Sequence, residues 1–433
     1  MSFSGIDLKS PCSCGKNHEC VTKNISIGES EDVTAQLIEF IKGEFGEGAK
    51  GYIICDDNTH RASEKMIDAV TGGGLCEVVK LDINSSHADE FMIEDCEKIL
   101  DGKPIDYIIA AGSGTIHDLT RAVAYRKSVP FISYPTASSV DGFVSAVVSV
   151  TKKNGMKTVL YAVAPIALFA DTEVLAAAPK RLTASGAGDI LGKYIALADW
   201  RISNLLTGEY ICKPIMEIVY YAANKAKDSL VEYDKNKSGE NYKKLCTDLL
   251  DALVISGLCM QYNGNSRPAS GAEHHVAHFF EMGMILKTDR LHGENVGVGS
   301  VLCAELYHKF ANSGNIKFID NQGIDHDMIK GCYKELYEEI IKENTPNTLA
   351  NVTAEIFYNN LNEIKNIISE IPTKEELAEL LDILGGIKDI NGIGAYDLSC
   401  ERSEIEPLAF KFAPYVRNAL TLLKLMRCVE TGE

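Results

Sequence analysis

Four of the ten histidines in this 433-residue chain fall in one stretch, SGAEHHVAHFFEMGMILKTDRLHGENVGVG, from Ser270 to Gly299. They are His274, His275, His278 and His292. Imidazole is both a metal ligand and a proton carrier near neutral pH. Ser270 and Glu273 stand three apart, which reads as a capping box opening a helix near Gly271. On that helix His274 and His278 are four apart and share a face, while His275 points elsewhere. The residue after His274 is His275 rather than Glu, so this is not the HExxH of a metalloprotease. His292 follows eighteen residues past His274, at the edge of a glycine-rich stretch. The grouping favours a metal or catalytic site over a set of structural histidines. A catalytic divalent site takes three protein ligands and keeps a position open, and a carboxylate is the natural third ligand beside two histidines. Asp189, in the first turn of a helix after the glycine turn of ASGAGDILGK, is the candidate.

A second chemistry is suggested upstream. IDYIIAAGSGTIHDLTRAVA reads as strand, glycine turn, helix. Gly112 and Gly114 allow close backbone approach, and the helix start offers N–H groups to a phosphate. The third glycine of the dinucleotide fingerprint is missing, so a plain tight turn stays open. YPTASSVDGFVS follows the next strand and carries Thr136, Ser138, Ser139, Asp141 and Ser145. CDDNTH ends an early strand in Asp56, which could accept from ribose hydroxyls and repel a 2′-phosphate, or simply solvate a loop. CSCGKNHEC brings Cys12, Cys14, His18 and Cys20 together in sequence. Their spacing does not fit a CxxC knuckle and no second half follows, so both a metal and a turn remain open.

These groups need a frame. GYIICDD, CEVVKLDI, IDYIIAAGSG and VPFISYPT are short apolar strands, separated by amphipathic helices such as TAQLIEFIKGEF. That alternation predicts an α/β fold with an N-terminal parallel-sheet, Rossmann-like domain over residues 1–181. Helical spacing dominates afterwards, with no convincing strand after Asp171, so an all-helical domain is expected over 182–433. The stretch DTEVLAAAPKRLTASGAG is the expected hinge. A formal charge of -18 argues against a nucleic-acid or anionic-membrane partner. No signal peptide and no uninterrupted apolar span of membrane length are visible. Thirteen scattered cysteines then indicate a reduced, cytoplasmic protein.

GSGTIHD, PTASSVDG, SGAGDILGKYIALADW, SRPASGAEHHVAH and LHGENVGVG, in this order and spacing, resemble the sn-glycerol-1-phosphate dehydrogenases, in their bacterial form. These belong to the iron-containing alcohol dehydrogenase and dehydroquinate synthase-like superfamily. The resemblance covers roughly residues 20–300. It implies one divalent metal, Zn or Ni, on Asp189, His274 and His292, with His278 facing the substrate as a catalytic group beside Asp189. It implies NAD contacts, with NADP possible, from Asp56, from Gly114, Thr115, Ile116, His117 and Asp118, from Thr136, Ala137, Ser138 and Ser139, and from Ser145. Asp141 and Asp189 would touch the substrate. His117 and Ser113 are mild departures from the family pattern, and His275 has no family role. The implied reaction is reversible reduction of a phosphorylated triose, dihydroxyacetone phosphate, to sn-glycerol 1-phosphate in a homo-oligomer, a dimer. Arg267 is a candidate grip on the substrate phosphate, with a surface salt bridge as its alternative. Rival readings are a glycerol dehydrogenase, a dehydroquinate-synthase-like lyase, and a catalytically silent metal- and nucleotide-binding protein.

Overall fold

The computed structural model describes residues 12–83, 88–153, 157–319, 323–398 and 400–432. The chain opens with β1 (Asn24–Gly28), α1 (Ser30–Phe45), β2 (Gly51–Cys55), α2 (Asp57–Ala62), α3 (Glu64–Gly72) and β3 (Cys76–Lys80). It continues with α4 (Glu90–Leu100), β4 (Tyr107–Gly112), α5 (Gly114–Lys127), β5 (Phe131–Pro135), β6 (Val147–Thr151), β7 (Lys157–Tyr161) and β8 (Ala167–Asp171). Next are α6 (Thr172–Ala177), α7 (Lys180–Leu191), α8 (Lys193–Thr207), α9 (Lys213–Lys235), α10 (Gly239–Asn263) and α11 (Ala272–Glu281). After these come β9 (Leu286–Thr288), α12 (His292–Asn312), β10 (Asn315–Phe318), α13 (His326–Tyr333), α14 (Tyr337–Glu343) and α15 (Ala354–Ser369). The last elements are α16 (Lys374–Asp382), β11 (Ala395–Leu398), α17 (Ile405–Phe412), α18 (Leu422–Leu425) and β12 (Val429–Gly432).

The elements form two compact units. One holds residues 17–190 and 224–264; the other holds 1–16, 191–223 and 265–433. The expected single cut after residue 181 therefore differs from the observed division in two places. Helix α7 and the stretch 224–264, which contains α10, both belong to the sheet-bearing unit. The expected hinge is itself mostly helical, as α6 and α7.

In the sheet-bearing unit six strands run parallel in the order β1-β8-β5-β4-β2-β3. The period-two pleat sorts side chains to opposite faces. Ile53, Cys55, Ile109 and Phe169 meet Val33, Leu37, Met66 and Val70 from α1 and α3. Tyr52, Ile54, Ile108 and Phe131 meet Ile93, Leu100, Leu119 and Val123 from α4 and α5. Burial of each such aliphatic or aromatic side chain contributes about 1.5–3 kcal/mol, and both faces are covered as parallel sheets require. An antiparallel hairpin, β6 with β7, adds to this unit. From β2 the chain steps outward to β3, then returns on the other side to β4, β5 and β8. The reversal lies between β2 and β4, and open α/β sheets take ligands beyond the carboxyl ends of strands at that place. The residues following those two strands are Asp56 and Ser113.

The second unit is mainly helical, but among the described residues four short strands follow Asp171 where none was expected. β9 pairs with β11 and β10 with β12, both antiparallel. Each is three or four residues long, too short to leave an alternating pattern in the sequence. Helix α10 is long and apolar enough to cross a membrane, yet 72% of its apolar window is buried inside the protein. Its apolar character is that of a core helix.

Candidate active site

The sheet-bearing unit places the glycine turn and the serine loop together. Ser113 is the N-cap residue of α5, whose first turn carries no acidic side chain. Its leading N–H groups and the helix dipole therefore favour an anion. The next loop is tied back to β4 by the Thr136 N–H, which donates to the Gly112 carbonyl at 3.0 Å. Ser138 Oγ donates to the Cys246 carbonyl at 2.6 Å. The Ser139 hydroxyl is buried without a hydrogen-bond partner among the described residues, a feature that calls for a ligand atom or water. Ala137 is fully buried. Ser145 Oγ accepts from the Val147 N–H at 3.0 Å.

Helix α7 presses on this loop. A Cβ at Gly186 would lie 1.9 Å from the Ser138 carbonyl oxygen, so only glycine lets the two backbones approach. That contact sets the position of Asp189, three residues further along α7 and fully buried. Asp189 Oδ2 accepts from the Asp141 N–H at 2.9 Å, and Asp141 Oδ2 accepts from Ser256 Oγ on α10 at 3.0 Å. The two carboxylates expected at the substrate are thus neighbours within one unit. Beneath the loop lies Arg121 of α5, which the sequence reading missed. Its guanidinium is fully buried, pairs with Asp118 at 2.6 Å, and donates to the Val147 carbonyl at 3.1 Å and to the Gly142 carbonyl. It ties the Asp141–Val147 segment to α5.

Two of the expected cofactor residues face inward. His117 is buried; its Nδ1 meets the Ser113 carbonyl at 3.0 Å and its Nε2 the Ser133 hydroxyl at 2.7 Å. The carbonyl can only accept, so Nδ1 carries the proton and Nε2 accepts. Burial pushes this imidazole down to about 3, so it is neutral. Ile116 packs in the core under α5. Of the Gly114–Asp118 run, Gly114, Thr115 and Asp118 are the partly exposed members. Asp56 caps α2: Oδ1 accepts from the Thr59 N–H at 2.7 Å, and the Asp56 N–H donates to Thr59 Oγ1 at 2.9 Å. Its second carboxylate oxygen can still accept from a ribose hydroxyl. Arg61 donates to Asn58 Oδ1 at 2.6 Å.

The helical unit gathers three histidines. His274, His278 and His292 have ring centroids 5.2, 5.4 and 6.0 Å apart. Two buried carboxylates of α11 orient them: Glu273, expected only as a helix cap, and Glu281, which the sequence did not single out. Glu273 Oε1 meets His274 Nδ1 at 2.7 Å. Glu281 spans the other two rings, Oε2 to His278 Nδ1 at 3.1 Å and Oε1 to His292 Nδ1 at 2.8 Å. A carboxylate on Nδ1 fixes the tautomer and makes Nε2 the ligating atom. The donor set thus fits a divalent metal. Burial pushes His278 down to about 3 against the pull of Glu281, leaving it neutral. Helix α12 comes close enough to deliver His292 because Gly299 packs on α11, where a Cβ would be 2.5 Å from the Glu273 carbonyl oxygen. His275 is buried on another face, with its Nδ1 unpaired among the described residues and its pKa driven well below the ordinary value by burial.

The expected Ser270–Glu273 capping box is not the one formed. The N-cap residue of α11 is Gly271, whose N–H donates to Glu273 Oε1 at 2.9 Å. The Ala272 N–H donates to Asp199 Oδ2 at 2.8 Å. Asp199, the acid of ALADW, also accepts from Tyr307 Oη at 2.9 Å and the Leu422 N–H at 2.7 Å. Arg267 is not on the surface. It is buried, forks onto Glu209 at 2.9 and 2.8 Å, and donates to the Leu420 carbonyl at 2.9 Å. These bonds brace the segment before α11, while Arg267 Nη1 is buried without a hydrogen-bond partner among the described residues.

At the N-terminal cluster, Cys20 Sγ donates to Gln261 Oε1 at 3.3 Å and His18 Nδ1 contacts the Tyr262 carbonyl at 2.7 Å.

A parallel sheet with a glycine turn at a helix N-terminus, and helices carrying a carboxylate-backed histidine trio, are consistent with a nucleotide- and metal-dependent dehydrogenase. Residues 30–179 match the family described as iron-containing alcohol dehydrogenase. The fold agrees with that of a 1,3-propanediol oxidoreductase, with a TM-score of 0.62 at 14% identity over 95% of this chain and 99% of the other. The glycerol-1-phosphate dehydrogenase [NAD(P)+] of Bacillus licheniformis is 38% identical over 303 residues, 68% of this chain and 73% of the relative. That of Halalkalibacterium halodurans is 30% identical over 427 residues, 96% of this chain and 95% of the relative. The chain belongs to the glycerol-1-phosphate dehydrogenase [NAD(P)+] family. It is an NAD(P)-dependent oxidoreductase of small molecules, and its donor residues are consistent with the divalent metal of that class.

Proposed function

We propose that this chain catalyses the reversible reduction of dihydroxyacetone phosphate to sn-glycerol 1-phosphate, with NADH preferred over NADPH. The observation that carries the reading is the histidine trio with Glu273 and Glu281 on its Nδ1 atoms, the arrangement expected of metal-ligating imidazoles. In this reading Asp189, His274 and His292 hold one Zn or Ni ion. Bound there, the ion would polarise the substrate carbonyl and stabilise alkoxide character in the alcohol.

The chain's own residues do the rest. The N-terminus of α5 receives the pyrophosphate, and Ser139 offers its buried hydroxyl to the cofactor. Thr136 and Ser145 line the same loop, and Asp56 receives the adenosine ribose. Asp141 hydrogen-bonds the substrate beside Asp189. Neutral His278, oriented by Glu281, passes the hydroxyl proton to or from solvent. A homodimer acting in the cytoplasm, without nucleic-acid or membrane partners, belongs to the same proposal.

The test is NADH oxidation with dihydroxyacetone phosphate, with and without prior chelation, and with Zn or Ni restored. Turnover that depends on metal and exceeds that on unphosphorylated dihydroxyacetone is expected. Equal efficiency on both ketones would turn the reading to a glycerol dehydrogenase.

A further inference from the structure

The fold supplies the second half that the N-terminal cysteine stretch lacked. Cys12 Sγ lies 3.8 Å from Cys212 Sγ, although the two are 200 residues apart in sequence. Cys14 joins them: the three thiol sulfurs lie within 4.8 Å of one another. Cys12 and Cys212 are buried and Cys14 is half-buried, and no disulfide links any of the three. All three belong to the helical unit.

The local backbone explains the convergence. The Cys12 N–H donates to the Lys16 carbonyl at 3.1 Å and the Gly15 N–H to the Cys12 carbonyl at 2.8 Å. Gly15 closes this turn at a φ of 86°, a left-handed conformation suited to glycine. The turn directs two sulfurs of a Cys-x-Cys-Gly segment at the loop between α8 and α9, which carries Cys212. Two sulfurs each about 2.3 Å from one tetrahedral zinc ion stand about 3.8 Å apart. The observed Cys12–Cys212 separation is that value, well beyond the ~2.0 Å of a disulfide. Tyr210 Oη donates to Cys14 Sγ at 3.1 Å, and the Lys16 ammonium sits 3.2 Å from the centroid of the same tyrosine ring. The hydroxyl donated to sulfur favours a thiolate at Cys14, whereas burial pushes the Cys212 thiol up to about 12, so that sulfur ionises only against a bound cation.

We propose that Cys12, Cys14 and Cys212 form a second metal site, a structural zinc site separate from the catalytic centre. Thiolate sulfur selects zinc among the common divalent ions. Solvent completes the coordination. Binding releases the thiol protons to solvent and involves no change of oxidation state. The site pins residues 12–16 to the loop that bears Glu209, the carboxylate that forks onto Arg267. It therefore stiffens the support of α11 without touching substrate.

Cobalt substitution of the whole protein separates this site from the catalytic one, whose proposed ligands include no sulfur. The near-ultraviolet thiolate-to-cobalt charge-transfer band is expected in the wild type and in His292→Ala, and is lost in Cys14→Ser and in Cys212→Ser. Zinc content should fall by one ion per chain in each cysteine variant, and the unfolding midpoint should drop. Should these variants not fold, the wild type alone decides. Zinc must protect all three cysteines from iodoacetamide, mapped by mass spectrometry, relative to chelator-treated protein. A cobalt protein without the band, equal labelling with and without zinc, or recovery of Cys12 and Cys212 as a disulfide overturns the proposal.

Discussion

Replacing Glu281 with Gln tests how the histidine trio is held. Both carboxylate oxygens accept, one from His278 at 3.1 Å and one from His292 at 2.8 Å. Glutamine keeps the shape but offers one acceptor and one NH2 donor. One imidazole must then face a donor with its Nδ1. That ring either loses the contact or moves its proton to Nε2, the nitrogen required for ligation or for the substrate. If His292 is the ring affected, metal affinity suffers; if His278, turnover. A hydrogen bond to a charged group contributes ~1.5–3 kcal/mol, and loss of a carboxylate behind a ligating histidine costs about 10–100-fold in affinity or activity. These magnitudes agree, since each tenfold corresponds to about 1.4 kcal/mol. The expected outcome for Glu281→Gln is therefore a 10–100-fold weaker metal affinity in competition with a chelator, or an equal loss of kcat at saturating metal. Circular dichroism should remain that of the wild type. Wild-type affinity together with wild-type kcat would refute the assignment of Glu281 as the orienting group.

Other outcomes follow from the same geometry. Arg267→Ala should destabilise the protein by about 1.5–3 kcal/mol, through loss of its charge-assisted hydrogen bonds to Glu209, whose side chain keeps 32% exposure; urea unfolding reads this, and an unchanged midpoint would contradict it. Asp199 is pushed up from 3.8 to about 7 by burial, against three donors that hold the charged form. Its native state binds the proton more tightly than the unfolded chain, so this contribution is present below pH ~4 and is lost as pH rises to ~7, roughly 4 kcal/mol in all. Urea midpoints across that range should show this fall in the wild type relative to Asp199→Asn, and parallel curves would refute it. Asp56→Ser keeps an N-cap residue for α2 but removes a charge that opposes a 2′-phosphate by ~4 kcal/mol at about 4 Å and an effective dielectric of 20. It should narrow the preference for NADH over NADPH, measured as the ratio of kcat/KM values. Arg121→Met should raise KM for the cofactor by loosening the Asp141–Val147 segment, and an unchanged KM would show that the segment holds itself.

What the sequence revealed, and what it hid, divides along physical lines. The parallel sheet was legible because strands buried on both faces are continuous apolar runs, as in GYIIC and YIIAAG. His274 and His278 were legible because helical period alone puts them on one face. Glu281 was equally legible by that rule, three residues beyond His278 and on the same face, but acids at helix ends usually read as solvated. What distinguished it was burial of its side chain to 0% exposure, and no local pattern reports burial. Glu273 was noticed for the wrong partner: it accepts from Gly271 and from His274, not as half of a box with Ser270. Arg267 shows the converse difficulty. Its place in SRPASG beside an anion-handling segment suggested a ligand, while its carboxylate partner, Glu209, lies 58 residues earlier, beyond any spacing rule. Cys212 was hidden for the same reason. Periodicity and motif spacing read the elements and the residues that share one element. Pairings such as Arg267 with Glu209, or Cys12 with Cys212, depend on how loops from distant elements come to rest together. Those pairings hold the positions of the groups that react, so the legible residues name the chemistry and the hidden ones fix its geometry.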